Sequence, residues 1–461
     1  MKRLTNLVTC LILIFYTLSL QGQENKSDEL EVLSDNGEYF KARELYQQIH
    51  DSISPRTELF YKYHMAKFMH KEDSAAIYME KMLADYPDMF GASTISAYSL
   101  LFETYIWSKN YEKGIRTYER IMQHLQENPY YIDEEILTLW QNGTEGRLYY
   151  LKKMTGRPPV KLKRKNTKEF AKIVGDERLI LETKTNGIAQ KTIFDTGCDF
   201  DYIINRQVAK ALGIKCDISE MGKGVINGVE VPTKEVTIDS LEVGNLTLYN
   251  ITATIYENDI TQSIHDSIKN DSGKLAFVDS MYTNVVIPTI GLPVMHLIGK
   301  FLIDYENGKV TFPDFDSYPY ALKEPNLFRY KTDIYTRCEL NGKDFVGILD
   351  TGTDASMKVD TAFYEKYQND IPIDTTITQE PYFYIMAHQV WDNLPYKIVQ
   401  NPQITFNNKP IDFSQYPVTI YSLRPIWPGE YFDGVMGYSF FKNIGKKVLL
   451  DLDNMRLEAI E

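Results

Sequence analysis

The stretches Asn186–Cys198, NGIAQKTIFDTGC, and Asn341–Thr353, NGKDFVGILDTGT, are two copies of one pattern. In each, an Asn-Gly pair begins nine residues before the Asp of an Asp-Thr-Gly triplet, Asp195-Thr196-Gly197 or Asp350-Thr351-Gly352. Asn-Gly reads as a type I′ hairpin turn, because both residues tolerate positive φ. The runs before each Asp, Thr192-Ile193-Phe194 and Gly347-Ile348-Leu349, read as buried strands. A second echo lies downstream, where PTIGLPVMHLIGKFLIDYENGKVTF (Pro288 to Phe312) matches GVMGYSFFKNIGKKVLLDLDNMRLEAI (Gly434 to Ile460). The chain therefore holds an internal repeat of roughly 150 residues, each copy delivering one Asp-Thr-Gly.

Two Asp residues delivered this way suit peptide hydrolysis by a carboxylate pair. Carboxyls held about 3 Å apart cannot both ionise and so share one proton. The ionised member takes a proton from an attacking water, while the protonated member hydrogen-bonds the scissile carbonyl and stabilises the tetrahedral diol. In each triplet Gly permits a tight turn and close approach of the partner loop. The Thr hydroxyl reaches across to lock the two loops together.

On these motifs the segment from near Lys168 to Glu461 resembles a two-lobed, pepsin-like or retropepsin-like aspartic peptidase. Each copy also has the downstream hydrophobic-hydrophobic-Gly of that family, Thr289-Ile290-Gly291 and Val435-Met436-Gly437, with Thr in one apolar slot. The resemblance implies catalytic Asp195 and Asp350, with loop support from Thr196, Gly197, Thr351, Gly352 and Thr353. It implies that Ile290, Gly291, Met436 and Gly437 pack beneath the catalytic loops. The glycine-rich stretch Gly222, Gly224, Val225, Ile226, Gly228 lies where the family carries its flap, and a plain surface hairpin is the competing reading. It is not a phosphate loop, since no Lys-Ser/Thr and helix start follow it. The implied chemistry needs no cofactor and no metal. One chain supplies both Asp residues, so a dimer is not required to build the site.

The residue after each triplet bears on the pH of action. A hydroxyl there donates to the ionised carboxylate and lowers the pair's pKa values. Thr353 fits that role, whereas Cys198 is a poor donor. Activity is therefore expected at mildly acidic pH, about 5 to 6.5, rather than in the strongly acidic range.

At the N-terminus, Lys2 and Arg3 precede an apolar run from Leu7 to Leu20. It reads as an export signal over residues 1–22, too short to span a bilayer comfortably. The expected location is periplasmic or extracellular, without stable membrane insertion after cleavage. A net charge of −13 argues against a nucleic-acid or anionic-membrane partner. Beyond the signal stand Cys198, Cys216 and Cys338, too few for a disulfide scaffold. A Cys198–Cys216 bridge is left open, with burial of all three as small apolar groups the simpler expectation.

Residues 27–156 read as an all-α helical domain. Ser54-Pro55 supplies an N-cap and a proline at the first helical position. Asp73 is expected to cap a helix over Ser74 to Leu83. Helices are also expected over Ser96 to Trp107 and Tyr111 to Leu125. A helix–turn–helix unit recurs at roughly 32 to 40 residues. A small residue four before a Tyr (Ala42/Tyr46, Ser74/Tyr78, Gly114/Tyr118) resembles the packing slot of tetratricopeptide repeats, and the full consensus is not met. The cluster Phe60, Tyr61, Tyr63, Phe68 reads as packing core before it reads as a concave peptide-binding wall. A protein partner on this domain is one use for it.

Residues 157–167, rich in Pro and basic residues, read as a solvated linker. Lobe one then occupies 168–316 and lobe two 326–461, giving an all-β two-lobed fold with short helices after the helical domain. In lobe one, strands are expected over Arg178 to Thr185 and Ile188 to Phe194, a short helix over Arg206 to Leu212, and a polar insertion over Asp259 to Asp279. In lobe two, the hairpin is read as Arg329 to Cys338 with Phe345 to Leu349, followed by a helix over Thr361 to Tyr367. Tyr382, Phe383, Tyr384 and Trp391 read equally as a substrate-binding wall or as half-buried strand residues. Asp199 and Asp201 read as solvent-facing or helix-leading.

No His lies beside either triplet, no Gly-x-Ser-x-Gly elbow occurs, and no zinc-ligand spacing is present. Two functions remain: an exported aspartic endopeptidase with peptide or protein substrates, and a catalytically silent peptide-binding protein using the same cleft. The second does not require both triplets and both hydrophobic-Gly segments.

Overall fold

The computed structural model describes residues 26–87, 94–127, 148, 151–165, 168–216, 222–226, 229–256, 270–273, 275, 287–314, 316–317, 324–353, 357–375, 382–386, 389–394, 396–422 and 432–460. The segment read as an export signal, 1–22, together with Gly228 and most of 259–279, lies outside them. Among the described residues no helix is long and apolar enough to cross a membrane. The chain divides into two compact units, Met1–Pro158 and Pro159–Glu461.

The first unit contains helices α1 (Lys26–Asp35), α2 (Tyr39–Ile49), α3 (Pro55–Phe68), α4 (Glu72–Asp85), α5 (Thr94–Trp107) and α6 (Tyr111–Glu127). Ser54 Oγ accepts the Thr57 N–H at 3.0 Å, and Pro55 occupies the first turn of α3. Helix α4 starts at Glu72, two residues earlier than the sequence suggests. Lys71 stands at its N-cap without a side-chain bond, and Asp73 sits inside the first turn. There an acidic side chain still favours the positive end of the helix dipole. The expected Ser74/Tyr78 slot is also shifted by one, because both residues are half-buried while Ala75 and Met79 are buried. Ala42, Gly114 and Tyr118 are buried, and Tyr46 stacks on Tyr61 at 3.9 Å. The aromatic cluster is core: Tyr61, Tyr63 and Phe68 are buried, and Phe60 packs against the Tyr63 group of α3, α4 and α5.

In the second unit the first lobe is an eight-stranded, barrel-like sheet. Its order is Lys161–Arg164, Leu246–Tyr256, Tyr202–Asn205, Thr289–Gly291, Ile188–Asp195, Ile180–Thr185, Val229–Val243, Gly222–Ile226. The long Val229–Val243 strand also pairs with Leu246–Tyr256, which closes the sheet on itself. The second lobe is a nine-stranded sheet running Lys397–Ile398, Val418–Tyr421, Met357–Asp360, Gly434–Gly437, Lys343–Asp350, Asp333–Leu340, Ile404–Phe406, Lys409–Ile411. Leu327–Tyr330 pairs with Asp333–Leu340 off that path.

The two halves meet in a five-stranded sheet. Lys300–Asp304 of the first repeat pairs antiparallel with Lys447–Asp451 of the second, at Leu302 opposite Leu449. These strands belong to the downstream echo of the repeat, and the first copy contributes three strands of this sheet and the second two. Phe301, Ile303, Val448 and Leu450 are fully buried, and burying such side chains is worth about 1.5–3 kcal/mol each. A buried ion pair, Lys300 to Asp451 at 3.5 Å, spans the junction, and Lys300 Nζ also donates to the Ser317 carbonyl at 2.9 Å.

Both Asn-Gly turns have positive φ at both positions: 50° and 79° at Asn186-Gly187, 50° and 73° at Asn341-Gly342. That is the type I′ signature. Each Asn also ties its turn to a neighbouring strand. Asn186 Oδ1 accepts the Ser240 N–H at 3.2 Å, and Asn341 Oδ1 accepts that of Gln403 at 2.8 Å.

Three readings are corrected. Lys161–Arg164, expected in a solvated linker, forms a strand against Leu246–Tyr249. Its alternating pattern lets Lys161 and Lys163 face solvent, while Arg164 donates to the carbonyls of Phe312 and Ile298. The segment read as one strand from Arg329 to Cys338 is two strands, Leu327–Tyr330 and Asp333–Leu340, broken by Lys331 at φ 54°. Among the described residues no disulfide joins Cys198, Cys216 or Cys338. Cys338 is buried, but Cys198 and Cys216 are only half-buried. Elsewhere the short helices stand at Arg206–Ala211 and Thr361–Tyr367, capped by Asn205 and Asp360. Tyr382–Met386 pairs with Gln389–Leu394 as a two-stranded ribbon, and the Tyr382, Phe383, Tyr384 and Trp391 side chains lie outside what is described.

Candidate active site

Each Asp closes a strand of its hairpin. That strand is fixed from the other side by parallel pairing with the hydrophobic-Gly segment. Asp195 stands opposite Gly291, and Asp350 opposite Gly437. Ile290 and Met436 are fully buried behind the loops. The Leu292 N–H donates to the Cys198 carbonyl at 2.8 Å, and the Tyr438 N–H to the Thr353 carbonyl at 3.2 Å. A Cβ on Gly291 would overlap the carbonyls of Phe200 and Cys198, so only glycine lets this segment reach the loop.

Within each triplet the Gly N–H donates to the carboxylate two residues before it, Gly197 to Asp195 at 2.8 Å and Gly352 to Asp350 at 2.9 Å. The Thr residues cross. Thr196 Oγ1 donates to the Leu349 carbonyl and Thr351 Oγ1 to the Phe194 carbonyl, each at 2.6 Å. Each hydroxyl also accepts the other loop's Thr N–H, at 3.1 and 3.0 Å. Both Thr side chains are fully buried. The glycines face the opposite carboxyl. A Cβ on Gly197 would stand 3.0 Å from Asp350 Cγ, and one on Gly352 would overlap the Asp195 carboxyl outright.

The Asp195 and Asp350 carboxyls face each other across the two loops, each lying against the opposite triplet's glycine. Burial first, and the Asp350 charge second, hold the Asp195 carboxyl well above its ordinary range. The Gly197 N–H and the charge of Arg178 work against that rise. Two facing carboxyls, with Asp195 biased toward its protonated form, suit the proton sharing such chemistry requires. Burial likewise pushes the Cys198 thiol up, with Asp195, Asp199 and Asp350 adding to it, so Cys198 stays a neutral thiol.

The structure brings Asp195, Thr196, Gly197, Asp350, Thr351 and Gly352 into one constellation, with Ile290, Gly291, Met436 and Gly437 beneath. The candidate flap residues Gly222, Gly224, Val225 and Ile226 lie on an edge strand paired with Val229–Thr233. Thr353 is buried, and its hydroxyl accepts from Lys358 Nζ at 3.4 Å. Asp199 is exposed and Asp201 half-buried, its carbonyl accepting the Gly291 N–H. Lys358 and Arg178 are the residues that the sequence reading did not single out as part of the site. All four residues of Met357–Asp360 are buried because the strand has sheet neighbours on both sides. That position, not the local pattern, takes Lys358 inside. Among the described residues no group of three or more His, Cys, Asp or Glu side chains is placed to hold a metal ion.

A duplicated β fold in which each half offers an Asp-Thr-Gly loop to the other defines the aspartic-peptidase class. Residues 181–268, inside lobe one, match the family model described as aspartyl protease. Among solved structures, the crystal structure of a retropepsin-like aspartic protease from Rickettsia conorii is similar at 15% identity with a TM-score of 0.22. The match covers 33% of this chain and 92% of that one. No curated protein matches the chain.

Proposed function

We propose that this chain is an exported aspartic endopeptidase that hydrolyses peptide bonds with a water activated between Asp195 and Asp350. The observation that carries the reading is the facing pair of carboxyls, each lying against the opposite triplet's glycine on loops tied by the crossed Thr residues. In this mechanism the ionised carboxylate takes a proton from the water as its oxygen bonds to the scissile carbonyl carbon. The protonated carboxyl gives its proton to the carbonyl oxygen, forming the diol. Collapse of the diol breaks the C–N bond as the nitrogen is protonated, and the pair returns to one shared proton. The crossed Thr residues keep the carboxyls from separating, a positioning effect of the kind that preorganised sites depend on.

The helical unit, read as a tetratricopeptide-like solenoid, docks or positions the substrate, as stacked helical repeats commonly do with extended peptides. The export signal places the enzyme in the periplasm or outside the cell.

The test is cleavage of an unstructured protein substrate across roughly pH 4 to 7, a range bracketing such carboxyl pairs. Wild type is compared with Asp195→Asn and Asp350→Asn, with and without a statine-type transition-state mimic. Cleavage lost in both variants and blocked by the mimic supports the reading. Cleavage that persists in either variant overturns it.

A further inference from the structure

The two lobes differ at two positions that touch each other. Cys198 and Thr353 each follow an Asp-Thr-Gly. Five residues further on, Ile203 and Lys358 occupy the same rung of the repeat. Ile203 pairs with Thr289 and Thr254, and Lys358 pairs with Val435 and Thr419. Lobe one thus places a thiol and an isoleucine beside its catalytic loop, whereas lobe two places a hydroxyl and an ammonium.

Lys358 is 3% exposed, and its Nζ donates to Thr353 Oγ1. The Thr353 N–H in turn donates to the Asp350 carbonyl at 3.4 Å, so the acceptor lies on the loop that carries Asp350. A lysine taken out of water to this degree is expensive unless anions or acceptors compensate it. A buried positive charge favours the ionised form of a nearby carboxyl.

We propose that Lys358 is a positioning residue. Through Thr353 it sets positive charge on the Asp350 side of the pair, making Asp350 the anion that accepts the water's proton and Asp195 the protonated member. The proposal rests on the aspartic-peptidase reading and deepens it, because it assigns the acid and base roles to particular carboxyls. The direction agrees with the neutral Cys198 thiol beside Asp195, which offers that carboxyl little stabilisation as an anion. Other titratable groups stand on the elements packed around Lys358. The Tyr421 ring centroid is 5.9 Å from Nζ. Asp360 caps the following helix, and Asp433 accepts the Val346 N–H. Lys397 lies over Tyr364. Arg178 acts on Asp195, in the opposing sense.

The full chain is to be studied as wild type, Lys358→Met, Lys358→Arg and Thr353→Val. Carboxyl carbons of labelled Asp are titrated by NMR, and kcat/KM is followed against pH. In Lys358→Met the Asp350 step should rise by about one pH unit, a tenfold change in its acidity constant. The acid limb of kcat/KM should move up with it, while the alkaline limb holds. Thr353→Val should move the same limb less, and Lys358→Arg should restore it. A folded Lys358→Met in which neither the Asp350 step nor the acid limb moves overturns the proposal. If Lys358→Met fails to fold, Thr353→Val decides, since it keeps the lysine and removes its link to the loop. The titration reads the carboxyls whether or not wild type cleaves. Absent cleavage would therefore count against the peptidase reading, with Lys358 still decided by the NMR steps.

Discussion

Thr196 and Thr351 clasp each other's loops: each donates its hydroxyl to the carbonyl just before the other's Asp, at 2.6 Å. Five hydrogen bonds pass through these two side chains, the longest between the two hydroxyls at 3.5 Å, and all connect one repeat to the other. The carboxyls meet because the backbones beneath them are tied.

Replacing either Thr with Val keeps the shape and removes both the donor and the acceptor. Buried partners left unsatisfied cost about 1–3 kcal/mol apiece, so Thr196→Val is expected to destabilise the second unit by about 2–4 kcal/mol. Thr196→Ser should recover most of it. Urea unfolding followed by tryptophan fluorescence measures the loss. A change below about 1 kcal/mol would show that the clasp contributes no more than an ordinary exposed bond.

The raised pKa of Asp195 ties stability to pH. With the folded value above the unfolded one, the unfolded chain releases this proton first as pH rises. Stability is full below the unfolded carboxylate pKa, about 3.9, and falls as pH climbs through the raised folded value. Asp195→Asn removes this dependence. Melting temperatures from pH 3.5 to 7.5 should therefore decline more steeply for wild type than for the variant, and parallel curves would contradict the assignment.

The two triplet glycines are not equally replaceable. A methyl on Gly352 would overlap the Asp195 carboxyl, while one on Gly197 would meet Asp350 Cγ at 3.0 Å, a tight contact that small adjustment relieves. Gly352→Ala should lower kcat by at least about tenfold more than Gly197→Ala, since misplacement of about 1 Å costs about a hundredfold in positioning. Equal losses would mean that the loops move freely enough to absorb either methyl.

Cys198→Ser introduces a hydroxyl donor at the lobe-one position where Thr353 stands in lobe two. Stabilising the anionic form lowers the pKa values of the pair. The acid limb of the pH–rate profile should shift down by about half a unit to one unit, a change reported by kcat/KM on a peptide substrate. No shift would show that the residue after the lobe-one triplet does not communicate with the pair.

The local features were legible from sequence because short-range chemistry decides them. Asn-Gly requires positive φ at both positions and so marked both hairpins. Ser54-Pro55 marked the start of α3 through its cap, and the repeated Asp-Thr-Gly with Ile290-Gly291 and Met436-Gly437 marked the loops and their support. Glu72 rather than Ser74 opens α4, and Lys331 breaks a strand, because backbone choices at element ends differ by little energy and packing tips them.

What only the tertiary structure decided lies in pairings distant along the chain. Lys161–Arg164 becomes a strand because the Leu246–Tyr249 edge is there to receive it, and Arg164 finds carbonyls at Phe312 and Ile298. The joining sheet exists because Lys300–Asp304 meets Lys447–Asp451 across the repeat. Lys358, a surface residue by composition, is buried because its strand runs between two neighbours. Sequence determined that this chain would bring two carboxyls forward on matching loops. The long-range sheet pairing decided what surrounds each carboxyl, and the surroundings make two identical triplets chemically unequal.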